Sequence, residues 1–302
     1  MNIPYVDIGG QYVENQEEIL SKLDELLSSG QYIGGEIVEE FENNINKYVG
    51  TSSAVALNSG TDALLFALKI LGIGKGDEVI TQPNSFIASA SVIAHSGAKI
   101  VFADVLNDQQ IDPEKVEVAI TKKTKAIIPV YLTGRIGNMD VIMDIAKRHN
   151  LYVIEDAAQS IGSTYNGKKS GQFGDFGAFS AHPLKNLNAC GDAGYLVGKN
   201  TEAIEKIKLI SNHGLYDRND CISWGLVSRL DAIQACILNI RLKYIEAIIE
   251  KRRINADIYK KILNKEKVYF PEDRENCRDT YHTFVIQVDK RDELKRKLQD
   301  QG

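Results

Sequence analysis

The chain has 302 residues, a length that allows either one large domain or two. Hydrophobic residues make up 43% of the chain and charged residues 25%, as in ordinary soluble globular proteins. The formal net charge of -5 and the pI near 5.7 argue against a nucleic-acid-binding protein, which usually contains a basic domain.

The sequence also argues against a membrane or disulfide-rich protein. No apolar run approaches the roughly 20 residues that cross a bilayer, and the opening MNIPYVDIGGQY lacks the apolar core of a signal peptide. The cysteines are scattered and lack the spacing of a metal site: Cys190, Cys221, Cys236 and Cys277. These features predict a cytoplasmic protein with neither disulfides nor bound metal.

The first predicted element is an amphipathic helix that ends near Gly30. Its apolar residues recur at helical spacing and fall on one face: Ile19, Leu20, Leu23, Leu26 and Leu27.

From about residue 50 to residue 200, short apolar runs alternate with stretches that can form helices. The runs predict buried strands: AVAL (54–57), EVIT (78–81), KIVF (99–102), AIIPV (126–130), LYVIE (151–155) and GAFS (177–180). The predicted helices between them are Thr61–Leu71, Ser85–His95 and Asn138–His149. Such alternation is typical of an α/β fold with a mostly parallel sheet, whose ligands bind at the carboxyl ends of the strands.

After the sheet, the stretch from Arg229 to about Leu263 lacks Gly and Pro and predicts one long helix. At about 1.5 Å per residue, this helix would span roughly 50 Å. Its Lys251-Arg252-Arg253 run is either a phosphate-binding patch or a solvated helix face, and the acidic residues nearby favour the solvated face. The last forty or so residues contain TFVIQV (283–288) and a helical RDELKRKLQ, too little for an independent domain.

Three features lie where this fold places a ligand. The first is the turn Asn58-Ser59-Gly60-Thr61-Asp62, which joins a predicted strand to a predicted helix. Gly60 allows close backbone approach, and the free N–H groups of a helix start bind phosphate well. Simple capping of the helix is the alternative.

The second feature is Glu155-Asp156-Ala157-Ala158-Gln159, directly after the apolar LYVI. A carboxylate at the end of a buried strand is costly unless a cation or a hydrogen-bond donor meets it. A protonated pyridine nitrogen would be such a partner, and a structural ion pair or a helix cap is the alternative.

The third feature is the run Phe179 to Leu187, in which a strand end is followed by a turn that contains Ser180, His182 and Lys185. A lysine desolvated at the floor of a cleft has the lowered pKa that imine chemistry requires. His182 either lines the substrate pocket or packs within the turn.

At these residues the sequence resembles the DegT/DnrJ/EryC1/StrS family of sugar aminotransferases, a branch of the fold-type I enzymes that use pyridoxal 5'-phosphate (PLP). The resemblance covers essentially the whole chain, from IPYVDI through SGTDALLFAL, GDEVI and PNSFIASA to VIEDAAQSIG, FGDFGAFSAHPLKNLNACGDAGYLV and SRLDAIQA. It implies a large PLP-binding domain over residues 1–240, including the N-terminal helix. Residues 241–302 would begin a small C-terminal α+β domain that is incomplete here.

The resemblance also implies roles for individual residues. Lys185 corresponds to the Schiff-base lysine and proton shuttle, and Asp156 to the partner of the pyridine nitrogen. Gln159 would donate to the ring hydroxyl, while Phe86 and Ala158 would pack on the two faces of the ring. The phosphate would be held by Gly60, Thr61 and Ser180, and the substrate residues would be His182, Asn186 and Arg229.

The implied reaction moves an amino group from L-glutamate to a nucleotide-diphosphate keto-6-deoxy sugar, in a homodimer whose active sites lie at the interface. The run Ser228-Arg229-Leu230-Asp231 is more similar to family members that aminate C3 than to those that aminate C4. In one departure from the family pattern Gly-x-Asn-x-Arg, Val227 occupies the asparagine position, which puts a phosphate contact from the neighbouring subunit in doubt.

Three alternative functions stand beside this one. A sugar dehydratase of the same family would replace the Schiff-base lysine by histidine, whereas Lys185 is present here. A regulatory or binding protein is the second alternative, because some family members were labelled sensory-transduction proteins. A nicotinamide-dependent enzyme is disfavoured, because no G-x-G-x-x-G follows the first predicted strand.

Overall fold

A computed structural model describes residues 6–302 of the chain. The start of the IPYVDI motif and of the predicted large domain, residues 1–5, therefore lies outside the described residues. The helices in the described part are α1 (Ile8–Val13), α2 (Gln16–Ser29), α3 (Glu36–Val49), α4 (Gly60–Ile70), α5 (Ala88–Ser96), α6 (Pro113–Ala119), α7 (Met139–His149), α8 (Thr201–Ile210), α9 (Ala232–Leu242), α10 (Ile245–Ile262) and α11 (Arg291–Gln301).

The strands form two sheets. A seven-stranded sheet has the order β1-β9-β8-β5-β4-β2-β3, and a small sheet has the order β10-β6-β7. Their bounds are β1 (Ser53–Leu57), β2 (Glu78–Thr81), β3 (Lys99–Phe102), β4 (Thr124–Ile128), β5 (Tyr152–Asp156), β6 (Thr164–Tyr165), β7 (Lys168–Lys169), β8 (Phe176–Ser180), β9 (Gly194–Gly198) and β10 (Cys277–Arg278). In the large sheet β9 is antiparallel to both of its neighbours, and the other pairings are parallel.

Successive residues of the central strands pack into separate cores on the two sides of the sheet. In β4, Ile127 joins one core, whereas Ala126 and Ile128 join the other. This arrangement follows from the two-residue period of a strand. Because both faces of the central strands are covered, these strands are mostly apolar, which is why the short apolar runs predicted them correctly.

The mostly parallel sheet flanked by helices is confirmed, and each predicted strand lies within two residues of an observed one. The sequence analysis missed β9, the run Gly194-Tyr195-Leu196-Val197-Gly198 that follows the Lys185 loop. It also missed α3, α6 and α8. In α2, Ile19, Leu23 and Leu26 pack towards α9 as expected, but Leu20 and Leu27 are exposed.

The prediction of one long helix from Arg229 to Leu263 is wrong. The chain forms α9 and α10, which are separated at Lys243 and Tyr244 by two i→i−3 backbone hydrogen bonds. Lys243 Nζ lies 2.7 Å from Glu18 Oε1 of α2, and the Tyr244 hydroxyl donates to Glu18 Oε2. This tertiary contact lies at the break between α9 and α10, where the sequence contains neither Gly nor Pro. The predicted domain boundary after residue 240 falls inside α9, and the division into two domains stays a prediction.

The Lys251-Arg252-Arg253 run does more than form a solvated face. Arg252 Nη1 donates to the carbonyl oxygen of His282 at 2.9 Å, and Arg253 Nη1 donates to that of Asp279. These contacts fasten the segment 279–282 to α10.

Candidate active site

A cavity of about 460 Å³ opens at the carboxyl ends of β1, β5 and β8. This is the sheet edge at which the α/β fold predicts a ligand. The residues predicted to bind the cofactor all line it: Gly60, Thr61, Phe86, Asp156, Ala158, Gln159, Ser180 and Lys185. Residues that lie far apart in the sequence therefore meet in one place.

The turn after β1 forms the start of α4. The Ser59 hydroxyl caps the helix by accepting from the Asp62 N–H at 3.1 Å, and the other N–H groups of the first turn have no partner within the helix. A side chain at Gly60 would place its Cβ 2.8 Å from the Ser180 Cβ, so only glycine fits beside β8. Capping and phosphate binding are thus compatible, because the cap occupies a single donor.

Gly194, at the start of β9, is a residue of this region that the sequence analysis missed. A Cβ at this position would overlap the backbone of Ser59 and Gly60. The turn that begins at Ser59, called here the phosphate turn after its predicted role, is thus packed directly against β9. In the sequence, the two glycines that bound the YLV run were the only sign of this strand. They do not show that the strand packs against the turn at Ser59 and Gly60.

Asp156 ends β5 and is only 5% exposed. Its Oδ2 accepts from the Ser89 hydroxyl at 2.6 Å, and its Oδ1 accepts from the Ala158 N–H at 3.2 Å. Burial raises the pKa of Asp156, while these hydrogen bonds and the nearby Lys185 oppose the rise. A cation in the cavity would stabilise the carboxylate, so the residue suits a protonated pyridine nitrogen.

The neighbouring Glu155 points to the other side of the sheet. Its fully buried carboxylate accepts hydrogen bonds from four donors: the Tyr131 hydroxyl and the N–H groups of Gly171, Phe173 and Gly174. Glu155 therefore has a structural role, and Asp156 alone of this pair faces the cavity.

Gln159 is oriented by a single backbone contact. Its Oε1 accepts from the Thr133 N–H at 2.7 Å, which leaves the side-chain amide N–H groups to serve as donors in the cavity. Ala158 and Phe86 also lie on the wall, and Phe86 is 71% exposed. The geometry agrees with a donor to a ring hydroxyl and with apolar contacts to a flat ring.

Lys185 lies on the loop after β8. Its N–H donates to the His182 carbonyl at 2.8 Å, and the side chain of Asn188 donates to the Pro183 carbonyl. The buried Arg241 donates to the Asn188 carbonyl at 2.7 Å and so braces the loop from α9. Burial lowers the pKa of Lys185, and the charge of Asp156 opposes this effect. A lowered pKa favours the free amine that imine chemistry needs.

The structure separates the three predicted substrate residues. His182 lines the cavity, and its Nδ1 also accepts from the Leu184 N–H, so it both packs in the turn and faces the ligand. Asn186 instead turns away and donates to the Thr280 carbonyl at 3.2 Å. Arg229 donates to Asn212 Oδ1 and does not reach the cavity of its own chain. Neither Asn186 nor Arg229 lines the cavity of its own chain, and their substrate role stays a prediction.

His282 is a wall residue that the sequence analysis missed. It lies in the C-terminal segment, where no motif points to the cavity, and only the fold brings it to Lys185. Val227 is half exposed, forms an isolated bridge with Asn212 and lies outside the cavity of its own chain.

Within residues 6–302, no helix is long and apolar enough to cross a membrane. The same part of the chain contains no group of three or more His, Cys, Asp or Glu residues arranged to hold a metal ion.

Four properties of the cavity fit PLP. A helix start framed by glycine suits the phosphate, a buried carboxylate suits the pyridine nitrogen, a free amide suits the ring hydroxyl, and a desolvated lysine suits the aldehyde. A family model for DegT/DnrJ/EryC1/StrS aminotransferases matches residues 13–302. The chain belongs to this family.

The chain is similar over most of its length to one protein named as a regulator and to others named as sugar aminotransferases. Over its full length the chain is 40% identical to a pleiotropic regulatory protein of Geobacillus stearothermophilus and covers 82% of that protein. It is 38% identical to a UDP-N-acetyl-3-dehydro-alpha-D-glucosamine 3-aminotransferase of Acidithiobacillus ferrooxidans, with 99% of the chain and 82% of the relative aligned. It is 36% identical to the 3-oxo-glucose-6-phosphate:glutamate aminotransferase of Bacillus subtilis, over 95% and 66% of the two chains.

Solved structures give the same result. DesV of S. venezuelae, determined in complex with a ketimine intermediate, superposes with a TM-score of 0.96 at 35% identity, over 99% of this chain and 81% of that one. The PLP form of the putative sugar aminotransferase Spr1654 from Streptococcus pneumoniae superposes with a TM-score of 0.90 at 26% identity, over 99% and 83%. The chain therefore has the fold of this family and is a PLP-dependent sugar aminotransferase.

Proposed function

We propose that this aminotransferase moves an amino group from L-glutamate to C3 of a nucleotide-linked keto-6-deoxy sugar. The observation that carries the proposal is the convergence of Lys185, Asp156 and the start of α4 on one cavity. Bound PLP supplies the electron sink that such a transfer needs.

In this proposal each wall residue has one task. The N–H groups at Gly60 and Thr61, with the Ser180 hydroxyl, bind the cofactor phosphate, and the geometry of the turn supports this role. Asp156 keeps the pyridine nitrogen protonated, and the Ser89 hydroxyl holds the carboxylate in place. Gln159 donates to the ring hydroxyl, and Phe86 and Ala158 cover the ring faces.

Lys185 has two tasks. Its Nζ would hold the cofactor at its aldehyde, and as a free amine it would carry a proton to and from the substrate carbon. Bonding to the aldehyde and abstraction of the proton both need an unprotonated amine, which burial of the side chain favours. The braced loop between His182 and Asn188 keeps the amine within reach.

The substrate assignment rests on the relatives. The Acidithiobacillus relative is named for a UDP-linked 3-dehydro sugar, which supports a nucleotide-linked acceptor and amination at C3. The Bacillus relative is named for glutamate, which supports L-glutamate as the donor. His182, at the cavity wall, is positioned to contact the acceptor.

We further propose a homodimer with the active sites at its interface. Five exposed apolar residues lie close together in the sequence and are called here the 216–227 patch: Tyr216, Ile222, Trp224, Leu226 and Val227. Ser228 ends the same segment and hydrogen-bonds Asn58, next to the phosphate turn. Because Asn58 directly precedes the cavity residue Ser59, a second subunit that covers the patch would lie close to the active site.

A regulatory role is the second candidate, favoured by the name of the Geobacillus relative. The two functions differ in their chemistry, because a regulator need not turn over glutamate.

Cytoplasmic location and the division into two domains at residue 240 are also proposals.

The experiment is an amino-transfer assay with purified protein, PLP and L-glutamate. We expect 2-oxoglutarate and a 3-amino sugar to form from dTDP-linked or UDP-linked 3-keto sugars, and we expect no turnover of UDP-4-keto-6-deoxyhexose. Amination of the 4-keto sugar alone would overturn the C3 assignment. PLP binding without any amino transfer would favour the regulatory function.

A further inference from the structure

His282 reaches the cavity from far along the chain. The other described wall residues lie between Ser59 and Ala193, on the large sheet and on the loops and helices that follow its strands. His282 belongs to the segment that follows β10, so its presence at the wall depends on how that segment is docked.

Hydrogen bonds hold the backbone of this segment at Thr280 and at His282. The Thr280 N–H donates to the Gly134 carbonyl at 3.0 Å, and the Thr280 carbonyl accepts from the Asn186 side chain next to Lys185. Arg252 Nη1 donates to the carbonyl of His282 itself. The backbone that carries the ring is therefore fixed relative to the lysine loop.

The imidazole of His282 lacks a hydrogen-bond partner at one of its two nitrogens. Its Nδ1 is buried and has no hydrogen-bond partner among the described residues. Buried polar atoms in native proteins are usually paired, and the exceptions call for an explanation. Because Nδ1 is buried, a ligand in the cavity would meet the ring through Nε2. No described protein contact fixes the tautomer, so Nε2 can either donate or accept.

The charge state narrows the choice of ligand. Burial, with the positive charges of Lys185 and Arg252, lowers the pKa of His282 to about 3, so the ring is neutral near pH 7. A carboxylate prefers a cationic partner, whereas a hydroxyl matches a neutral nitrogen that can donate or accept. Of the two proposed substrates, L-glutamate carries carboxylates and the sugar ring carries hydroxyls.

We propose that His282 hydrogen-bonds a ring hydroxyl of the acceptor sugar and is thereby a specificity-determining residue for the sugar half of the reaction. This inference rests on the proposed function. It assigns the C-terminal segment to recognition of the acceptor.

The test separates the two half-reactions in the PLP-loaded protein. His282→Phe keeps a flat ring and removes the hydrogen bond, and His282→Gln restores a neutral donor and acceptor. We measure bleaching of the visible absorbance by L-glutamate, and its return on addition of dTDP-linked and UDP-linked 3-keto sugars. His149→Gln is the matched control, because His149 is the last residue of α7, precedes β5 and does not line the cavity.

We expect His282→Phe to slow the sugar half-reaction by at least about tenfold and to leave the glutamate half-reaction within about twofold. His282→Gln should recover part of the loss. Calorimetry with the amino-sugar product should show weaker binding to His282→Phe at unchanged PLP content.

Equal slowing of both half-reactions, or slowing of neither, would overturn the inference. If the wild type bleaches with L-glutamate but aminates none of the sugars, the proposed acceptor fails. This outcome differs from a failure of His282, because it is already visible in the wild type.

Discussion

At the scale of single residues, the sequence predicted the site residues that lie at the end of a strand or soon after it. Lys185, Asp156 and Gly60 each follow a short apolar run, and parallel strands bring their carboxyl ends to one edge. His282 could not be found this way, because its place depends on contacts with Arg252 and with the loop at Gly134.

The sequence also could not predict the direction in which a side chain points. Asn186 is adjacent to Lys185, yet it turns away from the cavity to hold Thr280. Neighbouring positions on an irregular loop need not point the same way, and the motif alone does not distinguish them.

A pH prediction belongs to His282. The ring stays neutral in the folded protein down to about pH 3, whereas in the unfolded chain it takes up a proton near the ordinary value of 6.5. Because the unfolded state then binds more protons, acidification below pH 6.5 favours unfolding. The free energy of unfolding of PLP-free wild type should fall by up to about 1.4 kcal/mol per pH unit more than that of His282→Gln.

Denaturant titrations of both proteins between pH 6.5 and pH 5 measure this difference, since 6.5 marks the start of the expected divergence. Parallel loss of stability in the two proteins would show that the folded protein does not hold His282 neutral.

At the scale of helices and strands, apolar runs and glycine predicted most of the central sheet. The pattern failed where tertiary contacts decide, as at Lys243 and Tyr244, where Glu18 of α2 meets the break between α9 and α10. It also failed for β9, a short strand bounded by glycines that directly follows the active-site loop. Its antiparallel place between β1 and β8 depends on long-range pairing.

The contact between β9 and the phosphate turn gives a prediction at this scale. Gly194→Ala would force a methyl group into the backbone of Ser59 and Gly60, and neither segment can move freely. We expect the free energy of unfolding to fall by about 2 kcal/mol or more, with weaker PLP binding. Thermal melting and equilibrium dialysis with PLP measure the two effects.

Gly137→Ala is the matched control, because its Cβ would meet only the Gln110 side chain at 3.4 Å. If Gly194→Ala bound PLP as tightly as this control, the packing of β9 would not shape the phosphate site.

At the scale of the whole molecule, the five residues of the 216–227 patch expose apolar side chains to solvent. Trp224 is 91% exposed. A surface of this kind is typical of a subunit interface. The division into two domains rests on the resemblance alone, and no pattern in the chain fixes it independently.

Trp224→Glu should weaken the dimer, because a charge would be buried without a partner at the interface. We expect the dissociation constant from sedimentation to rise by at least about tenfold. Val118→Glu, which replaces another exposed apolar residue outside the patch, should leave the constant unchanged. A wild type that is active and purely monomeric would contradict the proposed interface.

The central claim is that Lys185 carries PLP and that the loaded protein takes its amino group from L-glutamate. The most direct measurement compares the visible absorbance of wild type and Lys185→Ala after addition of PLP and then of L-glutamate. The wild type should absorb, bleach with glutamate and release 2-oxoglutarate, while Lys185→Ala should do none of these at an unchanged circular dichroism spectrum. A Lys185→Ala protein that retains the absorbance and its bleaching by glutamate would contradict the account.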